Sequence, residues 1–141
     1  MIGEQETATL IIQKPLNEAV KLLRSALAEG GLEIAADLDM AGRIRKALRI
    51  DFPSCRVLCV DCPLALLEAL ALDRSAAVLL PLHVVVTTQD GLTLVHLLNP
   101  AAALYSGLPV TARAAVSKLQ ARVARAIESV SIRQNLLEIS V

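Results

Sequence analysis

The residue types able to do chemistry are scarce in this chain. They are three cysteines and two histidines, and they fall in two stretches. Cys55, Cys59 and Cys62 follow the spacing Cys-x3-Cys-x2-Cys, with which radical enzymes hold a four-iron, four-sulfur cluster through three thiolates. A cluster needs the sulfurs to converge around one loop. Here Cys55 and Cys59 lie in a predicted strand, about 13 Å apart at roughly 3.3 Å per residue. Packing of Cys55 and Cys59 beside Val57 as small hydrophobes is the better reading. Cys62 differs, because it precedes Pro63 and so stands at a predicted helix N-terminus. The dipole there favours an anionic sulfur, and Asp61 beside it opposes the effect. Cys62 is therefore the candidate thiol for a redox or nucleophilic role, with His83 or His96 as the base.

His83 and His96 flank an Asp90-Gly91 turn, a hairpin signal because both central positions need positive φ. With Gln89 opposite Leu92, Val85 opposes His96 and His83 opposes Leu98. Paired residues share a face, as do residues two apart. Both imidazoles thus share a face with Val85, Thr87, Leu94 and Leu98, while Val84, Val86, Val95 and Leu97 line the other. Neutral imidazole is a common metal or haem ligand. Two ligands from one hairpin are too few for a closed zinc site, which a dimer could double. The competing reading buries both histidines in a semi-apolar interface or under the C-terminal tail.

These residues need elements to hold them. Thr7 to Gln13 reads as a strand, and a helix opens at Pro15, with Leu16, Val20, Leu23 and Leu27 as its stripe. Gly30-Gly31 ends it. Leu32, Ile34, Ala36 and Leu38 alternate onto one face of a second strand. Met40 to Arg49 is a short helix with Ile44 and Leu48 inward. Cys55 to Val60 is a strand, and a helix runs from Pro63 to about Leu72. Leu82 to Thr88 and Leu92 to Leu98 form the hairpin, and a long helix spans Pro109 to Ser131. Its stripe is Val116, Leu119, Val123, Ile127 and Val130, with Arg113, Arg122 and Arg125 on or near the wet side. This order predicts a two-layer α+β domain, a mixed or antiparallel sheet with helices on one face.

Composition sets the outer bounds. The chain has 141 residues, 55% of them hydrophobic, which fits one domain with a packed core over residues 1–141. A formal net charge of zero argues against nucleic-acid or anionic-membrane binding. Phe52 and Tyr105 are the only aromatics, so base-stacking platforms are missing. Without a basic, apolar leader at the start or a run long enough to span a bilayer, a soluble, cytoplasmic protein with reduced thiols is expected. Arg43, Arg45, Lys46, Arg49 and Arg56 form a basic cluster, read as a solvated face with an acidic partner as the alternative. No phosphate-cradling glycine loop and no local Ser-His-Asp signature is found, so no cofactor and no enzyme class are assigned.

The segment Leu79-Leu80-Pro81-Leu82-His83-Val84-Val85-Val86, the glycine turn and Asn99-Pro100 resemble the domain-of-unknown-function 302 family. The helix start at Pro63 and the short helix initiated at Asp39 are similar too, so the resemblance covers about residues 7–131, leaving 132–141 as a tail. It implies a TATA-binding-protein-like fold in small bacterial or archaeal proteins that form homodimers, and no established activity. Many relatives carry Cys-Asn-Pro before the middle helix and Leu-Pro-Cys at the hairpin strand. Here those cysteine positions hold Asp61 and Leu82, and the asparagine position holds Cys62, so no thiol role carries over.

The expectation is a homodimeric binding domain that uses the hairpin face bearing His83, Val85, Leu94, His96 and Leu98. A second copy or a small apolar ligand would cover it. The motivation is that this hairpin is apolar on both sides while one helical layer shields one side.

Overall fold

A computed structural model describes residues 7–98 and 109–133. The elements are β1 (Thr7–Ile12), α1 (Leu16–Glu29), β2 (Glu33–Asp39), α2 (Met40–Leu48), β3 (Cys55–Asp61), α3 (Pro63–Leu72), β4 (Leu82–Gln89), β5 (Leu92–Leu98), α4 (Val110–Glu128) and the short β6 (Ile132–Arg133). A 3-10 turn over Arg74–Leu79 leads into β4. The fold is α+β, as the order of elements implies. All strand pairings are antiparallel, in the order β2-β3-β4-β5-β1-β6. Among the described residues, no helix is long and apolar enough to cross a membrane.

The hairpin forms as its turn residues demand. Asp90 and Gly91 both have positive φ, and the register runs from Gln89 opposite Leu92, through Val85 opposite His96, to Val84 opposite Leu97. The sheet then has two distinct faces. Leu10 and Ile12 of β1, Leu58 and Val60 of β3, Leu82, Val84 and Val86 of β4, and Val95 and Leu97 of β5 pack into one core. The helices close that core with Ala19, Val20, Leu23 and Leu27 of α1, Ala65 of α3, and Val116, Leu119, Val123 and Ile127 of α4. Aliphatic side chains fill it, so its stabilisation comes from area removed from water, roughly 25 cal/mol per Å².

Two expectations about faces need correction. Leu32, Ile34, Ala36 and Leu38 do not share one side, because a register shift falls between Ile34 and Ala36. Ile34 pairs with Val60 on the helical side, whereas Ala36 and Leu38 pair with Cys59 and Val57 on the other. One inserted residue moves every later side chain across the sheet. Leu48 of α2 is not inward but 64% exposed, with Ala41 the buried residue of that helix. Asp39 caps α2 by accepting from the Gly42 backbone N–H. Asn99-Pro100, Tyr105 and the tail beyond Arg133 lie outside the described residues.

Candidate functional site

Pairing and alternation gather one set of side chains on the sheet face away from the core. They are Thr9 and Ile11 of β1, Leu94, His96 and Leu98 of β5, His83, Val85 and Thr87 of β4, and Cys55, Val57 and Cys59 of β3. The five residues singled out in the hairpin therefore lie on one side. His83 and Leu98 are exposed, and Val85, Leu94 and His96 are half-buried. Cys55 and Cys59 also belong to this face, so they pack with Val57 outside the helix-covered core. Cys59 pairs with His83, which sets a thiol next to an imidazole.

His96 is held from both sides. Thr9 Oγ1 on β1 lies 3.2 Å from Nδ1, and Thr87 Oγ1 on β4 lies 2.8 Å from Nε2. A neutral imidazole has one donor and one acceptor nitrogen, so one hydroxyl accepts while the other donates. Burial of the ring lowers its pKa below the ordinary 6.5 and keeps it neutral. A metal at His96 would have to displace one threonine. No group of three or more His, Cys, Asp or Glu that could hold a metal ion occurs among the described residues.

The pairing of Cys62 with a histidine base is not formed. Cys62 stands at the N-cap position of α3, without a side-chain capping hydrogen bond, and is buried in the helix-side core, whereas both imidazoles lie on the opposite face of the sheet. Its neighbour is instead Arg122 of α4, which donates from Nη1 to Cys62 Sγ at 3.5 Å and from Nη2 to the Gly30 carbonyl at 2.8 Å. Arg122, expected near water, thus ties the ends of α1 and α3 to α4.

The basic cluster is divided. Arg56 pairs with Asp37 through Nε at 3.1 Å and through Nη2, and Arg24 of α1 reaches the same carboxylate at 2.6 Å. Arg45 meets Asp51 at 3.4 Å in an exposed pair. Burial of Asp37 alone would raise its pKa. The Arg56 hydrogen bonds and charge, with Arg24, outweigh that and hold the carboxyl below 3.8.

At the end of the hairpin remote from its turn, a cavity of about 350 Å³ opens between the sheet and α4. Leu79, Pro81, Leu97, Val123 and Ala124 give it apolar walls, and His83, His96 and Gln120 supply polar groups. Gln120 is 5% exposed, and its Oε1 has no hydrogen-bond partner among the described residues. It was legible in principle, being a polar residue four positions after Val116 in the apolar stripe of α4. Thr9 could not be linked to His96 in this way, since their contact depends on β1 pairing with β5 across most of the chain.

The profile described as "Domain of unknown function DUF302" matches residues 8–130, almost the whole chain. The chain belongs to the DUF302 family. The crystal structure of an uncharacterized conserved DUF302 protein from Bacillus stearothermophilus is similar in fold, with a TM-score of 0.81 at 16% identity. The match covers 89% of this chain and 98% of that one. Comparison with curated proteins finds no match. DUF302 membership thus carries the fold and leaves the activity open. In this DUF302 chain Asp61 stands where the family pattern suggested cysteine. It is buried opposite Glu33, and burial, then the Glu33 charge, raise its pKa above 3.8.

Proposed function

We propose that this DUF302 domain is a cytoplasmic, self-associating binding module whose second copy covers the sheet face of His83, Val85, Leu94, His96 and Leu98. The observation that carries the reading is the chemistry of this face. Along β1, β4 and β5 it presents Thr9, His83, Val85, Thr87, Leu94, His96 and Leu98, with Ile11 buried beside them and no charged side chain on these three strands. A two-fold contact sets a surface against itself, and β1, β4 and β5 can do so without charge repulsion, the carboxylates of this face, Asp61 and Glu33, lying at its β3–β2 side. His96 fits this role better than ligation, because its two nitrogens are already engaged by threonines.

Sedimentation equilibrium at micromolar concentration tests the reading. A dimer is expected for the wild-type chain and a folded monomer for Leu94→Glu, which sets a carboxylate in the middle of the face. A wild-type monomer, or a Leu94→Glu dimer of unchanged affinity, would overturn it.

A further inference from the structure

α2 is amphipathic, yet it leaves most of its apolar side in water. At about 100° per residue, Met40, Ala41, Ile44, Ala47 and Leu48 fall in one sector, with Arg43, Arg45 and Lys46 around the rest. Such a sector ordinarily lies on the domain's own core. Here Ala41 is its one buried member, while Met40 is 38% and Leu48 64% exposed. The apolar exposure continues past the helix at Ile50, 54% exposed, and at Phe52, 49% exposed.

The same stretch is cationic. Arg43, Arg45, Lys46 and Arg49 are all exposed, and residues 40–50 contain no acid. The helix dipole accounts for Arg45 and Lys46 in the last turn, but it gives Arg43, near the start, nothing. Arg49 at the C-cap has a φ of 57°, a left-handed conformation that glycine adopts without steric cost. Glycine would relieve that strain, and arginine instead sets a cation beside Ile50. The formal net charge of zero for the whole chain thus conceals a local excess of positive charge on an apolar ridge.

We propose that residues 40–52 dock on an anionic phospholipid surface. Met40, Leu48, Ile50 and Phe52 sink below the phosphates, and the flanking cations stay at headgroup level on their long stems. Charge complementarity selects this occupant. An anionic bilayer offers negative charge in a plane and apolar depth directly beneath it, which matches cations bordering an apolar sector. A soluble acidic protein satisfies the cations but must also supply a groove for Leu48 and Phe52. A second copy using the same ridge would set cation against cation. The ridge lies on the surface and does not span it.

The chain has no tryptophan, so Phe52→Trp introduces a single indole. The variant is mixed with phosphatidylcholine vesicles, with and without phosphatidylserine, at low and high sodium chloride. With phosphatidylserine the emission is expected to move to the blue and to be quenched by brominated acyl chains. The effect is expected to weaken in high salt, which screens exposed charges. Co-sedimentation of the wild-type chain with the same vesicles gives an independent reading should Phe52→Trp misfold. Arg43→Gln and Lys46→Gln are each expected to weaken partition about fivefold, and Leu48→Ala about tenfold. All three positions are exposed, so melting temperatures are expected to stay near wild type. Absence of wild-type binding to phosphatidylserine vesicles would overturn the proposal, as would equal binding to phosphatidylcholine alone. An equal blue shift with poly-L-glutamate would assign the ridge to an acidic protein and overturn it. Loss of self-association in Leu48→Ala would assign it to the second copy, with the same consequence. Leu94→Glu lies on β5, outside the ridge, and is expected to bind vesicles as wild type does, so failure of the dimer leaves this result standing.

Discussion

Thr87 Oγ1 sits 2.8 Å from His96 Nε2, diagonally across the β4–β5 ladder, and Thr9 closes the other side of the ring at 3.2 Å. The imidazole is thereby fixed as a neutral, hydrogen-bonded member of the sheet face. Its burial lowers the folded-state pKa below 6.5, so the folded chain resists a proton that the unfolded chain accepts. Stability contributed by neutral His96 is complete above about pH 6.5 and is lost as pH falls through that region toward the depressed folded value. Urea unfolding of wild type and His96→Gln at about pH 7.5 and about pH 5.5 is expected to show a larger acid loss in wild type. Equal losses would refute the assignment.

Thr87→Val keeps the shape of the side chain and removes its hydroxyl. One ring nitrogen of His96 then lacks its partner, at a cost of about 1–3 kcal/mol. The expected readout is a lower urea midpoint with an unchanged slope. A midpoint equal to that of wild type would show that the bond contributes nothing.

Zinc added in excess is expected to leave the melting temperature unchanged, because binding at His96 must break a hydrogen bond and no described group of three ligating side chains exists. A ligand that binds only the folded state raises the melting temperature by mass action. A concentration-dependent rise with zinc would reinstate the histidines as ligands.

Asp37 joins Arg24 of α1 to Arg56 of β3 at the polar edge of the helical face. Asp37→Asn is expected to destabilise by about 1–3 kcal/mol at neutral pH, since it leaves two guanidinium groups without their anion. The folded-state pKa lies below 3.8, so the contribution is present above that value and disappears as pH falls through the folded pKa. The gap between wild type and variant should therefore close in strong acid. A gap independent of pH would point to packing instead of charge.

Leu58 and Leu48 give a paired test of the two layers. Leu58 is fully buried between β3 and the helices, and Leu58→Ala should cost about 2–5 kcal/mol. Leu48 is 64% exposed, and Leu48→Ala should stay within about 0.5 kcal/mol. A large loss at Leu48 would mean that α2 docks where the structure leaves it in water.

Local signals made the hairpin legible. Asp90-Gly91 forces a tight turn, the turn sets the register, and the register places His83 and His96 on one side. The long helix and the Pro63 start were legible for similar reasons of periodicity and capping. Features that depend on distant segments were not. The insertion of β1 between β5 and β6 brings Thr9 to His96, and no pattern within residues 7–12 announces it. The shift after Ile34 reversed the faces of β2, because alternation alone cannot reveal an extra residue. Cys62 looked like a reactive thiol from its helix position, while its approach to Arg122 depends on how α4 lies over α3.

The acids of β2 have a bearing on colloidal behaviour. β2 is an outer strand of the sheet, and it carries Glu33, Asp37 and Asp39 together with the irregularity after Ile34. An unguarded outer strand recruits further strands and seeds fibrils. Here a newcomer aligned along β2 from another copy would meet a bent ladder, with Glu33 on one face and the ion-paired Asp37 and the capping Asp39 on the other. The chain can therefore be rich in aliphatic residues while its bent outer strand works against side-by-side polymerisation.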